Sequence, residues 1–146
     1  MKEKIRNYQL VATLGKSAPE LIVKVYDGAI GNLEQASEYY GREDFQRGYE
    51  KMETARKFIV HLYTTLDLEK GGEIAAKLSQ LYAFIVEKID IVQATKDISA
   101  IRNSIEILSN IREGWVQLAK NLKNKTESAE ETAAPERQVG SISISI

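Results

Sequence analysis

The sequence predicts an all-α protein: an antiparallel up-down four-helix bundle with a short N-terminal helical segment and a disordered C-terminal tail. Three observations predict it. Of 146 residues only two are proline, Pro19 and Pro135. Between them apolar side chains recur at spacings of three and four, the period of a helix buried along one face. The breaks in that pattern are short, so consecutive helices must lie side by side and run antiparallel. A chain of this length buries roughly 68% of its unfolded surface in one core. One bundle domain is therefore expected over residues 1–125, followed by a flexible tail over 126–146.

The elements follow in order. Ile5, Tyr8, Val11 and Leu14 stand at successive intervals of three and make residues 2–14 a short amphipathic segment, which Gly15 ends. Ser17-Ala-Pro-Glu20 offers a hydroxyl cap, a proline in the first turn and a glutamate that can bond back to the cap, the signature of a helix start. The stripe of that helix is Ile22, Val25, Tyr26, Ala29, Leu33, Ala36 and Tyr40, and Gly41 closes it. Asp44 suits the cap of the next helix, whose stripe is Phe45, Met52, Ala55, Ile59, Leu62 and Leu66. Asp67 to Gly72 reads as a loop, because paired glycines are costly inside a helix and natural at its exit. A third helix over 73–95 carries Ile74, Leu78, Leu81, Tyr82, Ile85, Ile89 and Val92. Asp97 then caps a fourth, with Ile101, Ile105, Leu108, Ile111, Trp115, Leu118 and Leu122.

Past residue 125 the composition changes. Residues 126–146 hold Glu127, Glu130, Glu131 and Glu136 against Arg137, a net charge of −3 that leaves about +2 on the body. The last six residues, Ser-Ile-Ser-Ile-Ser-Ile, alternate with the period of an extended strand that could add to a partner or neighbour.

Composition narrows the function. There is no cysteine, so disulfides, thiolate nucleophiles and Cys-ligated metals drop out. Twenty Lys and Arg against 21 Asp and Glu give a net charge of −1, with no field to draw in nucleic acid. No apolar run approaches the length that spans a bilayer and no signal-peptide core follows Met1, so a cytoplasmic protein without membrane insertion is expected. One histidine, no phosphate loop and no nucleophile elbow point away from an enzyme. No metal or other cofactor is expected.

Several apolar residues exceed what one stripe per helix requires. Phe84 and Ile91 stand a heptad apart, off the third stripe and among Lys77, Glu87 and Lys88. Val23 and Ile30 flank the first long stripe, Phe58 and Val60 the second, Ile107 and Val116 the fourth. Scattered surface hydrophobes are common, but a broad apolar exterior on a long bundle fits a groove for an amphipathic partner segment. The N-terminal segment, through Ile5, Tyr8 and Val11, could cover such a groove when the partner is absent.

Three blocks of the sequence resemble the flagellin export chaperone family, FliS. They are Ser17-Ala-Pro-Glu-Leu-Ile-Val-Lys-Val-Tyr-Asp-Gly-Ala-Ile30, then Leu66-Asp-Leu-Glu-Lys-Gly-Gly-Glu-Ile-Ala75 with Leu78-Ser-Gln-Leu-Tyr82, and Asn110-Ile-Arg-Glu-Gly-Trp115. The likeness runs in order over about residues 5–122. It departs at Pro19, one place later than the usual Ser-Pro, and at Gly114, where alanine is common; the acidic tail has no counterpart. The resemblance implies a small non-enzymatic chaperone that binds the disordered C-terminal segment of flagellin, prevents premature polymerisation and docks on the flagellar export gate. It also implies that the client wraps the bundle in hydrophobic grooves while the N-terminal segment moves aside, with Ile5 and Tyr8 associated with client binding.

The expected flagellin-binding residues are Ile5, Tyr8, Val23, Ile30, Phe58, Phe84, Ile91 and Ile107, on a monomer or weak homodimer. Tyr26, Leu66, Asp67, Gly71, Gly72 and Tyr82 are assigned to architecture. Two other classes of function remain open from the residues alone. One is a histidine phosphotransfer module using His61, although His61-Leu-Tyr-Thr-Thr lacks the Lys-Gly pair such modules place after the histidine. The other is a helical adaptor for another client.

Overall fold

A computed structural model describes residues 11–15 and 18–136, with side chains placed through Asn124. Its long helices are α1 (Pro19–Gly41), α2 (Phe45–Thr65), α3 (Leu68–Thr95) and α4 (Ser99–Glu136), preceded by a helical turn at 11–13. α1 packs on α2 and α4, and α3 packs on the same two, so the four helices form a ring in sequence order. Connections of two or three residues force each neighbour to reverse direction. The expected bundle is the observed one, and the described residues contain no strand.

Each helix start has a local cause. Proline opens α1, where its missing N–H costs nothing, but the cap position is Ala18, which offers no side-chain bond. The expected Ser17 hydroxyl cap lies outside the described residues, as do Ile5 and Tyr8. Asp44 caps α2 by accepting the Arg47 N–H at 3.3 Å, and Asp97 opens α4 by accepting the N–H of Ser99 at 3.0 Å and its hydroxyl at 2.6 Å. The Ser99 hydroxyl bond holds the Asp97 carboxyl below its ordinary range. α3 ends on Lys96, whose left-handed backbone (φ 64°) returns its N–H to the Val92 carbonyl at 2.7 Å.

Gly71 and Gly72 depart from expectation. They lie within α3, which begins at Leu68 under an Asp67 cap that accepts the Lys70 N–H at 2.8 Å. Gly71 is buried because the N-terminal segment runs against it: a Cβ there would come within 2.6 Å of the Thr13 hydroxyl and 2.8 Å of its Cα. Gly72 takes φ 54° and ψ −130°, a kink closed to other residues. The pair therefore serves close approach and a bend one turn into the helix. The Asp67 N–H donates to the Thr13 carbonyl at 3.0 Å, fastening residues 11–15 to the α2–α3 corner. Gly15, with φ 61°, ends that segment as its sequence suggested.

The core is drawn from the predicted stripes, of which residues such as Val25, Leu81 and Ile111 are only partly buried against it. Leu33, Met52, Ile59, Ile85, Ile89, Ile101 and Leu108 are fully buried, with Trp115 and Leu118 closing the α4 side. Across the ring, the Tyr26 and Tyr82 hydroxyls share a buried 2.5 Å hydrogen bond between α1 and α3, and their rings meet edge to face. Two bulky side chains reaching over the diagonal can satisfy each other only in one register, so the pair fixes how α1 and α3 stand relative to one another. α4 continues as helix to Glu136, beyond the composition break at residue 125; residues 137–146 lie outside the described part.

Candidate functional site: the flanks of α4

A four-helix ring has four seams, and they are filled differently. Between α1 and α2 the filling is aromatic. Gly28 leaves the space in which the Phe58 ring lies, since a Cβ on it would fall 2.5 Å from that ring, and Gly48 does the same for the ring of Tyr40 at 2.7 Å. The α2–α3 seam is closed by polar side chains. Arg56 reaches Asp90 at 2.5 Å and the Gln93 carbonyl oxygen at 2.7 Å, while the Gln93 amide donates to Glu53 at 2.9 Å. That amide bond, reinforced by Arg56, keeps the Glu53 carboxyl below its ordinary range.

The two seams along α4 leave apolar side chains accessible. Between α1 and α4 a furrow of about 370 Å³ has Val23, Val116 and Ala119 as its apolar floor and Glu20, Lys24, Asp27, Lys120 and Lys123 around it. Arg112 ties its inner end by an ion pair and hydrogen bond to Asp27, the interaction that chiefly raises the arginine's pKa. Of the adjacent helices in the ring, α3 and α4 share the least contact. Helical phase places Phe84 and Ile91 on the flank of α3 away from the Asp90 and Gln93 side, and Ile107 on the flank of α4 away from Arg112. These three residues therefore border the α3–α4 seam. Phe84 is 41% exposed, with the Lys88 ammonium 4.8 Å over its ring, while Ile91 and Ile107 are half-buried.

The residues singled out from sequence thus divide among three seams. Val23 lines the α1–α4 furrow; Phe84, Ile91 and Ile107 border α3–α4; Phe58 is half-buried between α1 and α2. Ile30 is a correction. Expected on the flank, it is 9% exposed and joins the core cluster, because a residue at the boundary of the stripe turns inward where α4 lies close. His61 is exposed, and among the described residues no group of three or more His, Cys, Asp or Glu could hold a metal ion. No described helix is long and apolar enough to cross a membrane.

A cleft at the other end of the bundle escaped the sequence reading. It holds about 350 Å³ between Tyr40, Phe45, Gln46, Tyr49, Glu50, Gln93 and Lys96, with the Lys96 ammonium 4.4 Å above the Phe45 ring. Burial, and secondarily the neighbouring Tyr49, raise the Tyr40 pKa. The signal in the sequence was Tyr49, an aromatic residue off the α2 stripe.

The residues that join the helices repeat the blocks quoted above in physical terms. Tyr26, Asp27 and Gly28 are consecutive, and each meets a different helix: Tyr82 of α3, Arg112 of α4 and Phe58 of α2. Asp67 and Gly71 hold the N-terminal segment, and Trp115 closes the core beside the tyrosine pair. The family model of the flagellar protein FliS matches residues 1–137. The chain belongs to the FliS family. Its similarity extends to the flagellar secretion chaperone FliS of Salmonella typhimurium, 34% identical over 109 residues, which are 74% of this chain and 81% of that protein. The FliS chaperone of Vibrio cholerae is 29% identical over 86% of this chain and 96% of its own length, and that of Campylobacter jejuni 26% over 73% and 83%. In this FliS-family chain the Tyr26-Asp27-Gly28 string is thus the point at which α1 is joined to each of the other three helices.

Proposed function

We propose that this FliS-family protein is a non-enzymatic flagellar export chaperone that acts in the cytoplasm, binds the disordered C-terminal segment of flagellin, prevents its premature polymerisation and delivers it to the flagellar export apparatus. The observation that carries the reading is the apolar surface left along both flanks of α4 once the core is complete. A polymerisation segment that folds only against other subunits exposes an apolar face, and covering that face removes the nucleus of assembly. Val23 supplies one client-facing flank, and Phe84, Ile91 and Ile107 the other. Ile30 and Phe58 support them from beneath, and Ile5 and Tyr8 gate access. Ordering a disordered client consumes about 2–5 kcal/mol of the contact energy, which keeps such a complex specific yet releasable without nucleotide hydrolysis at this protein.

Titration calorimetry with a flagellin C-terminal peptide tests the reading. The peptide is expected to bind the intact chain, and Phe84→Glu with Ile91→Glu to weaken it at least about tenfold, the effect of about 1.4 kcal/mol, without loss of helicity. An Ile5→Ala/Tyr8→Ala pair should also change the affinity. Absence of peptide binding to a folded chain refutes the function, and unchanged affinity in the Glu variants refutes the surface.

A further inference from the structure

The α1–α4 furrow has an apolar floor, a mixed rim in which three lysines face Glu20 and Asp27, and no occupant among the described residues, yet the chain carries a segment suited to it. α4 runs thirteen residues beyond Lys123, the outer end of the furrow, to Glu136, which at 1.5 Å per residue is about 20 Å. The ten residues 137–146 can extend about 33 Å. Turning back at Glu136, the first six cover the return and bring Ile142, Ile144 and Ile146 level with Lys123 to Val116. In an extended chain these three isoleucines project to one side and Ser141, Ser143 and Ser145 to the other. That is one apolar edge for a narrow apolar floor, with the serine edge and the backbone left in water.

The charges agree with this placement. Ser141 to Ile146 is uncharged, so it buries nothing that needs a counter-charge. The stretch that leads to it carries four glutamates against Arg137, a net charge of −3, and it departs from the end of the furrow where Lys24, Lys120 and Lys123 outnumber Glu20. Tethering raises the local concentration of the segment to the order of millimolar, so even a weak apolar contact is populated within one molecule.

We propose that residues 141–146 of this chain fold back into the α1–α4 furrow, with Ile142, Ile144 and Ile146 on Val23, Val116 and Ala119. The segment is then a resident placeholder that any client of this furrow must displace, a consequence that rests on the function proposed above. A furrow covered about nine-tenths of the time lowers a competitor's apparent affinity about tenfold.

Methyl NMR on the whole chain, on the chain ending at Glu136, and on an Ile142→Ser/Ile144→Ser/Ile146→Ser variant tests the docking without any client. All three chains keep α1 to α4 unaltered, so folding is not at issue. The expected result is that Val23, Val116 and Ala119 methyl signals of the whole chain differ from those of both altered chains, which match each other, and that the difference persists on dilution. Val23→Glu in the whole chain should release the segment's amide signals to random-coil positions. Identical methyl signals in all three chains overturn the proposal. So does a difference confined to Phe84, Ile91 and Ile107, or one that fades on dilution, which would place the segment on a second copy. In calorimetry, removal of 137–146 should tighten flagellin-peptide binding up to tenfold. If neither chain binds the peptide while the methyl differences remain, the client reading fails and the docking stands.

Discussion

The α1–α2 seam and the α1–α4 seam share one helix and solve the same problem in opposite ways. Against α2, α1 presents Gly28, and the ring of Phe58 fills the vacated space; in return Gly48 of α2 receives the ring of Tyr40. Against α4 it presents Val23 and Asp27, and meets Val116, Ala119 and Arg112 across a furrow of about 370 Å³. One seam gains stability from close fit, while the other keeps apolar surface accessible at the cost of incomplete packing. The difference teaches that the two sides of one helix can be packed to different degrees by the size of what faces them.

Core truncation defines the upper end of that contrast. Leu33→Ala, at a fully buried position of α1, should cost about 2–5 kcal/mol, measured by urea unfolding. In the aromatic seam, Gly28→Ala should cost about 1–3 kcal/mol, because its Cβ would sit 2.5 Å from Phe58 and force the ring out of its place against α1. Restoration of stability by Gly28→Ala with Phe58→Leu would show that the ring, and not helix propensity, sets the cost. If Gly28→Ala stabilises the protein, the seam is not packed as described.

Alkaline pH attacks the diagonal between those seams. Burial raises the Tyr26 pKa from 10.0 to about 12, against smaller lowering by the Tyr82 hydroxyl and by the Trp115 indole, which lies near enough to act on Tyr26 without forming a well-aligned hydrogen bond. Burial likewise raises Tyr82, and Tyr26 adds to the effect. A phenol whose folded pKa lies above its unfolded value favours folding fully below pH 10 and loses that contribution as pH rises towards the folded value. Tyr26 alone should therefore cost about 2–3 kcal/mol between pH 10 and 12. In an ultraviolet titration Tyr26 and Tyr82 should ionise only as the helical signal falls. Ionisation of all tyrosines near pH 10 with helicity intact would contradict their burial.

Much of this was legible from spacing. The stripes named the core because a helix that must hide one face can do so only at intervals of three and four, and Asp44, Asp97 and Pro19 marked starts because their chemistry suits few other places. Gly71 and Gly72 were misread as an exit. Glycine reports that a side chain is absent, and sequence does not say whether the space goes to a turn or, as here, to Thr13 from a distant segment. Ile30 and Val23, a heptad apart, looked equivalent on a wheel, yet one is core and the other lines the furrow. Helical phase gives an angle on one helix, and the distance to the next is set by partners such as Asp27 and Arg112 that lie 85 positions apart.

On the open seam the same size of change should act on binding and spare the fold. Val116→Glu places a carboxylate on the half-buried floor of the open furrow, within reach of Lys120 and Lys123, where it stays hydrated and stability should fall by less than about 1 kcal/mol. Flagellin-peptide affinity should fall, whereas Val116→Leu should retain it. A Glu variant that unfolds the bundle would mean the furrow is core, and the contrast between the seams would be lost.

The smallest effect belongs to the tie between the two regions. Asp27 and Arg112 are both partly exposed, so their attraction is screened and removal of either should lower thermal stability less than any substitution above. Asp27→Asn keeps the shape and a hydrogen-bond acceptor and removes only the charge. Its deficit should therefore shrink with added salt, which weakens the ion pair in the parent chain as well. Because the pair closes the inner end of the furrow, the same variant should loosen that end. Any change in peptide affinity should then exceed the change in stability, and a loss of equal size in both would show that Asp27 serves the bundle alone.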